Sequence, residues 1–474
     1  MRARISASMR LCVMVLLLTA LALMPPLNAQ DDFGDFGFGD AEFDFWDFGS
    51  GGTGGGGFFD SLSIGGEIEA GLRLFVNDFG GDDRTEVSAA MDMLSASLNF
   101  TLSGRNADAF FGLRLSADSI AELRDGGPSS AQTPLVLDEA FVRAFFGPLT
   151  LTAGLRKLTW GRADSFGPLD VVNPIDFTDL SRLSDPQSVK IARPMIHAAW
   201  VMGFNQRLEA VFVPWFEGHR FARSGRWTPY QIGSLLDIAG NLAGIDEFFP
   251  ETGTLEYAQA GLRFTTTAGS SDLGFQYFFG RLPRPSVTFS GMPIPFPPNF
   301  LPEANYNFFH QIGADFARVI SGFNIRAEAG VNITGDLDGR DGAVENPAIV
   351  WSLGFDRNIF LGINLNLQGT GSVRLFHDRI GDNPFADVEA GTDISSTRIT
   401  GILSRRFLRD ELELKTTALW GIEDRDFLVI PAVVWSRNDV SAELSAGFFG
   451  GDRGGELGQY RENNFVRFIL TYSF

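Results

Sequence analysis

The sequence predicts an all-β chain, a transmembrane antiparallel β-barrel of about 18 strands, preceded by a signal peptide and a disordered Gly/Phe/Asp-rich arm. Three observations lead there. After residue 30 no apolar run is long enough to cross a bilayer as a helix. From residue 61 onward the apolar residues recur with a period of two rather than 3.6. The joins between the alternating segments are short and long by turns, as in a barrel whose hairpins are tight at one end only. Lipid admits only helices and closed barrels, because both satisfy every backbone polar group internally, so alternation without helices reads as a barrel.

Residues 1–29 read as a signal peptide. Arg2, Arg4 and Arg10 form a basic start, Leu11 to Leu23 is apolar apart from Thr19, Pro25-Pro26 stops the run, and Ala29 precedes the expected cut. Cys12, the one cysteine in 474 residues, lies inside that run, so the remaining chain offers neither a disulfide nor a Cys-based zinc site. The net charge of −20, from 58 acidic against 38 basic residues, argues against a nucleic-acid partner, which needs clustered Lys and Arg.

Residues 30–60 form the arm. Between Asp31 and Asp60 it carries eight Phe and eight acidic residues with no Lys or Arg, and Gly51 to Gly57 is a linker. Its aromatics follow no helical or strand period, so nothing there buries them regularly, and the arm reads as a disordered periplasmic spacer. The sharper reading is a segment that docks in a partner's groove or enters the lumen as a partial plug.

The barrel is assigned to 61–474, with strands at 61–77, 86–103, 106–118, 134–146, 148–158, 192–203, 206–216, 254–267, 270–280, 304–318, 321–334, 346–356, 359–375, 392–407, 409–421, 425–436, 439–449 and 463–474. In the first, Leu62, Ile64, Ile68, Leu72 and Leu74 share one face and Glu67, Glu69 and Arg73 the other. The longest alternation runs from Ile359 to Leu375, with Asn364, Asn366, Gln368, Thr370 and Arg374 on the water side. Strands 134–146 and 425–436 alternate poorly, and 86–103 changes phase near Met93-Leu94, where a bulge would restore the pattern. Phe is frequent, 46 against six Tyr, and Phe100, Phe111, Phe212, Phe264, Phe275, Phe279, Phe355 and Phe448 fall on the lipid phase. Trp200, Trp215, Trp351, Trp420 and Trp435 are the candidates for interfacial girdles.

The last strand carries the most specific local signal. Val466, Phe468, Leu470, Tyr472 and Phe474 alternate with Arg467, Thr471 and Ser473. This resembles the C-terminal signature of bacterial outer-membrane β-barrels. The resemblance implies the outer membrane of a diderm bacterium, a lipid environment, and an assembly machinery that reads Phe474.

Inward phases present Arg73, Arg156, Arg263, Arg326, Glu328 and Arg374 as the lumen lining, a mixed-charge wall suited to water and small solutes, or one whose charges merely pair with each other. The third long loop, 157–194, holds Arg162, Asp164, Asp170, Asp176, Asp179, Arg182 and Asp185. In general porins the third loop folds inward, and by that resemblance these residues are candidates for a constriction. Within the loop, Trp160-Gly161-Arg162-Ala163-Asp164, Asp170 to Asp176 and Arg193-Pro194-Met195 are similar to an uncharacterised family of Gram-negative outer-membrane barrels built around a WG…NPxD loop. That likeness implies hydrophobic or lipid-like compounds as cargo. The loops at 216–253 and 281–303 are also long, and the second is Pro-rich.

Four histidines, His197, His219, His310 and His377, are scattered, and no GxSxG, HExxH or spaced acid pair accompanies them, so no enzyme, cofactor or metal is expected. The reading is a porin-like channel for passive diffusion. Its alternatives are a facilitator of hydrophobic compounds and a structural or adhesive barrel.

Overall fold

A computed structural model of the chain describes residues 61–76, 89–117, 135–233, 249–288, 303–384 and 386–474. The signal-peptide and arm assignments lie outside these residues.

Among the described residues, eighteen strands form one sheet that closes on itself. In chain order they are β1 (Ser61–Phe75), β2 (Ala89–Ser103), β3 (Ala107–Ala117), β4 (Leu135–Phe146), β5 (Leu149–Arg156), β6 (Arg193–Val201), β7 (Gln206–Val213), β8 (Gln259–Ala268) and β9 (Ser271–Arg281). The circuit continues through β10 (Phe308–Ile320), β11 (Phe323–Thr334), β12 (Ala348–Asn358), β13 (Asn364–Arg374), β14 (Ser395–Phe407), β15 (Leu412–Gly421), β16 (Asp426–Arg437), β17 (Val440–Gly451) and β18 (Phe465–Ser473). Each strand runs antiparallel to the next, and β18 closes on β1 with Ser473 opposite Glu67 and Phe465 opposite Phe75. A closed ring leaves no unpaired edge.

The three irregular places in the sequence have identifiable causes. The register of β1 on β2 passes from Gly71↔Met93 to Arg73↔Ala90, a bulge where the phase change falls. On β3 and β4, Gly112 faces Glu139 while Leu113 faces Leu137, so Asp138 is the extra residue that spoils the alternation of β4. In β16 Pro431 has no N–H to donate, and the ladder to β17 skips from Val429↔Phe448 to Ala432↔Ser445. One expected strand is shortened. Ile359 to Ile363 turns instead of extending, with Leu361 at φ 60° and Gly362 at φ 67°, and β13 starts at Asn364. The Ile-x-Leu-x-Ile spacing continues through that turn, so periodicity had no means of marking its boundary.

Short joins, such as Gly147-Pro148 and Asn438-Asp439, share one end with Ser61 and Phe474, and this is the periplasmic end. Outside, the apolar phase is open: Leu62 is 57% exposed, Ile64 55%, Phe468 46% and Leu470 44%, which in a closed barrel marks the lipid face. Trp200 and Trp435 lie near the periplasmic end and Trp215 and Trp420 near the outer end, all exposed. The Phe assignment needs one correction. Phe448 is buried, as is every residue from Ser445 to Phe449, and the adjacent Phe449 packs with Trp227, Leu457 and Tyr460.

The core therefore sits inside the ring. One apolar cluster joins Leu158, Trp160 and Val172 to inward residues of β6, β7, β9 and β10, among them Met195, Val211, Phe278 and Phe309. A second joins Leu180, Leu183 and Trp227 to Phe75, Leu419, Leu428, Ile430, Phe449 and Phe465. Leu180 and Leu183 come from the third long loop and Trp227 from the fourth, so loops occupy the lumen.

Candidate functional site: a loop-divided lumen

The chain between β5 and β6 turns into the barrel because its two stems are tied together. Asn173 Oδ1 accepts from the Leu158 amide at 2.7 Å, while Nδ2 donates to the carbonyls of Arg156 at 3.1 Å and Ile191 at 2.8 Å. Lys190 pairs with Asp170 at 2.6 Å, and Asp170 also accepts from the Trp160 amide. Pro174, which follows, restricts the Asn173 backbone to extended conformations and so helps to fix the turn that presents its side chain to both stems.

From this neck one arm of the loop lies against β8–β13. Glu328 of β11 accepts from the amides of Arg162, Ala163 (2.7 Å) and Leu169 (3.3 Å). Arg162 Nε reaches Asp315 at 2.9 Å, and Arg263 reaches the same carboxylate at 2.7 Å. Arg326 bridges Asp164 of the loop and Asp356 of the wall. Gln276 and Gln311 donate to the carbonyls of Leu169 (2.8 Å) and Pro168 (2.9 Å), and the Gln368 side chain accepts from the Asp164 amide at 2.8 Å. Such buried polar groups are stable only when each finds a partner, as here.

The wall makes room for this arm with inward glycines. A Cβ on Gly261 would sit 2.6 Å from the Trp160 ring, and one on Gly313 would sit 2.5 Å from Leu169. Leu169 is fully buried in that recess, which contributes about 2 kcal/mol. Neither glycine declared itself in the sequence as a docking feature. The available signal was small residues at inward positions of adjacent strands.

The other arm crosses to β1 and β18. Asp179 pairs with Arg73 at 2.9 Å and caps Ser181, whose hydroxyl takes a second bond from Arg73 at 2.8 Å. Burial pushes the Asp179 carboxyl up, but the Arg73 guanidinium and the Ser181 bonds outweigh it and hold the group below its ordinary value. Arg467 stands opposite Arg73 and pairs with Glu443 at 3.1 Å.

The six expected lining residues all point inward, but their surroundings differ from the expectation of a wetted wall. Arg73, Arg326 and Glu328 are buried beneath the loop and bind it directly, with loop amides and carboxylates in the place of water, whereas Arg263 is buried against Asp315 and Gln276 of the wall, which in turn hold Arg162 and Leu169 of the loop. Arg156 contacts His197 at 3.2 Å, and Arg374 pins a neighbouring loop through Glu389 at 2.8 Å. Of the loop candidates, Arg162, Asp164, Asp170 and Asp179 are anchors and Asp176 caps Thr178. Arg182 and Asp185 face a polar cavity of about 330 Å³ between the loop tip and the inner faces of β1–β3, β17 and β18. Glu67, Glu69, Arg114, Glu443 and Arg467 complete its charged lining. A second cavity, of about 190 Å³, lies beyond the loop among Trp160, Asp170, Lys190, Glu217, Arg281 and Phe309. Among the described residues no cluster of three or more His, Cys, Asp or Glu is placed to hold a metal.

The fourth long loop straps the outer mouth. Asp176–Phe177 pairs in parallel with Arg220–Phe221, and the Ile175 amide donates to His219 Nδ1 at 2.9 Å. Further along, Trp227 enters the second cluster and its carbonyl accepts from Tyr460 Oη at 3.2 Å. Burial, with the nearby Arg284 charge, lowers the His219 pKa to about 3 from an ordinary 6.5. A depressed histidine favours the docked form while neutral, so the junction is fully held above about pH 6.5 and weakens progressively as pH falls towards 3. Protection of the Ile175 amide from hydrogen exchange, corrected for intrinsic rate, is expected to fall over that interval. Undiminished protection at pH 3 would refute the coupling.

A closed antiparallel barrel with an apolar exterior, tryptophans at both ends and a polar interior divided by an inward loop is a bacterial outer-membrane β-barrel of porin-like architecture. No family model matches the chain, and no curated protein matches it. Solved structures do resemble it. Salmonella typhi OmpF, in complex with daunomycin, shows 8% identity over 87% of this chain and 97% of that one, with a TM-score of 0.41. Acinetobacter baumannii OccAB4 shows 8% over 88% and 98%, with a TM-score of 0.47. Escherichia coli Wzi, a carbohydrate-binding barrel involved in group 1 capsule assembly, shows 10% over 87% and 84%, with a TM-score of 0.45. The class rests on the geometry and not on these likenesses.

Proposed function

We propose that the protein is a passive channel for small hydrophilic solutes, and that they pass through the space between the tip of the third loop and the walls of β1–β3, β17 and β18. The observation that supports this is the polar cavity there, which contrasts with the packed half of the lumen under β8–β13. Solutes would meet Glu67, Glu69, Glu443 and Asp185 alongside Arg114, Arg182 and Arg467, a lining that is net negative by one charge. Since Glu443 and Arg467 pair with each other, Glu67 and Glu69 dominate the field nearest the periplasmic end.

The channel is therefore expected to be weakly cation-selective, and E67Q/E69Q to move its reversal potential in a salt gradient towards the anion side. Planar-bilayer recording tests both statements. No conductance from refolded protein would end the channel reading, and an unchanged reversal potential in the double variant would remove these carboxylates from the path. Passage of hydrophobic compounds has less support, because both apolar patches inside the ring are occupied by loop side chains. Phe474 and its flanking alternation support recognition by an outer-membrane assembly machinery. No catalytic role is proposed.

A further inference from the structure

The lipid face carries a feature that the channel reading leaves unused. At the periplasmic end, four strands that descend through the membrane each finish with an arginine on the outward phase. These are Arg318 of β10, Arg357 of β12, Arg405 of β14 and Arg437 of β16, all within the last three residues of their strands. Their outward placement follows from parity, since Asp315, Asp356, Ser404 and Val434 belong to the inward set or face it across the ladder. Consecutive strands are about 4.8 Å apart, so arginines on alternate strands recur about every 10 Å around the rim. That is close to the spacing of neighbouring lipid headgroups.

The neighbours of these arginines on the following strand are apolar. Across the ladder Arg318 faces Ile325, Arg357 faces Leu365 and Arg405 faces Leu414. Aromatic rings lie alongside, with the Arg357 guanidinium 4.3 Å from the Phe323 ring centre and Arg405 4.6 Å from that of Phe407. Trp435 precedes Arg437 by two residues on the same face. Arg437 also approaches Glu411 at 3.8 Å, but both side chains are exposed and such a pair holds weakly. Among the described residues, the outward phase of strands β10–β16 near this end otherwise presents aliphatic and aromatic residues, and the nearby carboxylates Asp410 and Glu411 belong to a turn. At the corresponding ends of β2, β6, β8 and β18 the same phase presents Leu102, Trp200, Thr266 and Tyr472. The cations thus occupy one arc of a strongly acidic protein.

A guanidinium above aliphatic side chains, at the level where acyl chains meet headgroups, extends its stem along the apolar surface and places its charge in the phosphate layer. From this we infer that the β10–β16 arc is a binding surface for anionic phospholipid of the inner leaflet, with phosphate on the arginines and acyl chains against Ile325, Leu365 and Leu414.

The test uses the full barrel reconstituted in phosphatidylcholine nanodiscs with a minor fraction of phosphatidylglycerol, followed by quantification of lipid retained on extraction. Native protein is expected to retain phosphatidylglycerol in excess of its input. Each Arg→Gln change should weaken that retention about fivefold, and R318Q/R357Q/R405Q/R437Q should abolish the preference. The four Arg→Lys changes should preserve most of it. Heat-modifiable gel mobility verifies that each variant is a folded barrel. Equal retention by the folded Gln variant, or no enrichment by native protein, would overturn the proposal. So would displacement by inorganic phosphate at the same concentration, which would mean a bare anion site, or a crosslinked dimer lost in the Gln variant with lipid unchanged, which would assign the arc to a second copy.

Discussion

Glu328→Ala is expected to raise single-channel conductance and to add rapid open-channel noise, without unfolding the barrel. The carboxylate sits on β11, buried, and takes the amides of Arg162, Ala163 and Leu169 together. Those donors belong to a loop segment whose glycines lie against the same carboxylate. A Cβ on Gly161 or Gly167 would fall within 3 Å of its oxygens, and Gly161 adopts φ 89°. A hydrogen bond contributes about 1 kcal/mol net, and a buried amide left without an acceptor costs about 1–3 kcal/mol, so losing three weakens this end of the loop by several kcal/mol. The wall ladder is untouched, since the β11 backbone pairs with β10 and β12 through its own amides. Released from the far wall, the loop would pivot on the Asn173 neck, and the packed half of the lumen would admit water. Asn173→Ala should act more strongly still, because it unties both stems. Native-like conductance and noise in both variants would show that the loop does not limit the pore.

The two halves of this site were unequally legible. Strand positions could be read because lipid outside and polar groups inside impose a period of two, and each of the eighteen expected segments corresponds to a strand. Boundaries blurred wherever alternation continued through a turn, as at Ile359 to Ile363. Inward direction could be read for Arg263, Arg326 and Glu328, but direction does not reveal what lies opposite. Whether an inward charge meets water or a loop depends on contacts made more than a hundred residues away in the chain, such as Glu328 with Ala163. Composition had no access to those contacts. In the third loop Trp160 is buried against the wall and Asn173 ties the two stems together. Their partners, Gly261 and the Arg156 and Ile191 carbonyls, are a glycine and backbone groups that no side-chain pattern marks.

Barrel closure offers the second large effect, and it separates two roles of the last residue. Phe474 and Gly66 exchange a pair of backbone hydrogen bonds, each 2.9 Å, which complete the β1–β18 seam. The ring stacks beside Tyr472 at 6.0 Å and lies over Gly66, where a Cβ would be 2.8 Å from the ring and 2.3 Å from the Ser97 carbonyl. Gly66→Val therefore forces both the ring and the β2 backbone to move, at a cost of a few kcal/mol typical of overpacking. It is expected to lower refolding yield into detergent or liposomes, and the urea midpoint of the folded fraction, more than any change at Phe474. Deleting Phe474 removes two backbone bonds, about 1 kcal/mol each. Phe474→Ala keeps the bonds and loses only a ring that is 51% exposed, so unassisted refolding should barely register it. Insertion in cells is expected to reverse that order if an assembly machinery reads the terminal aromatic, with Phe474→Ala failing while Gly66→Val retains recognition and loses stability. Should Phe474→Ala insert as well in cells as it refolds unaided, the ring is a seam residue and no more.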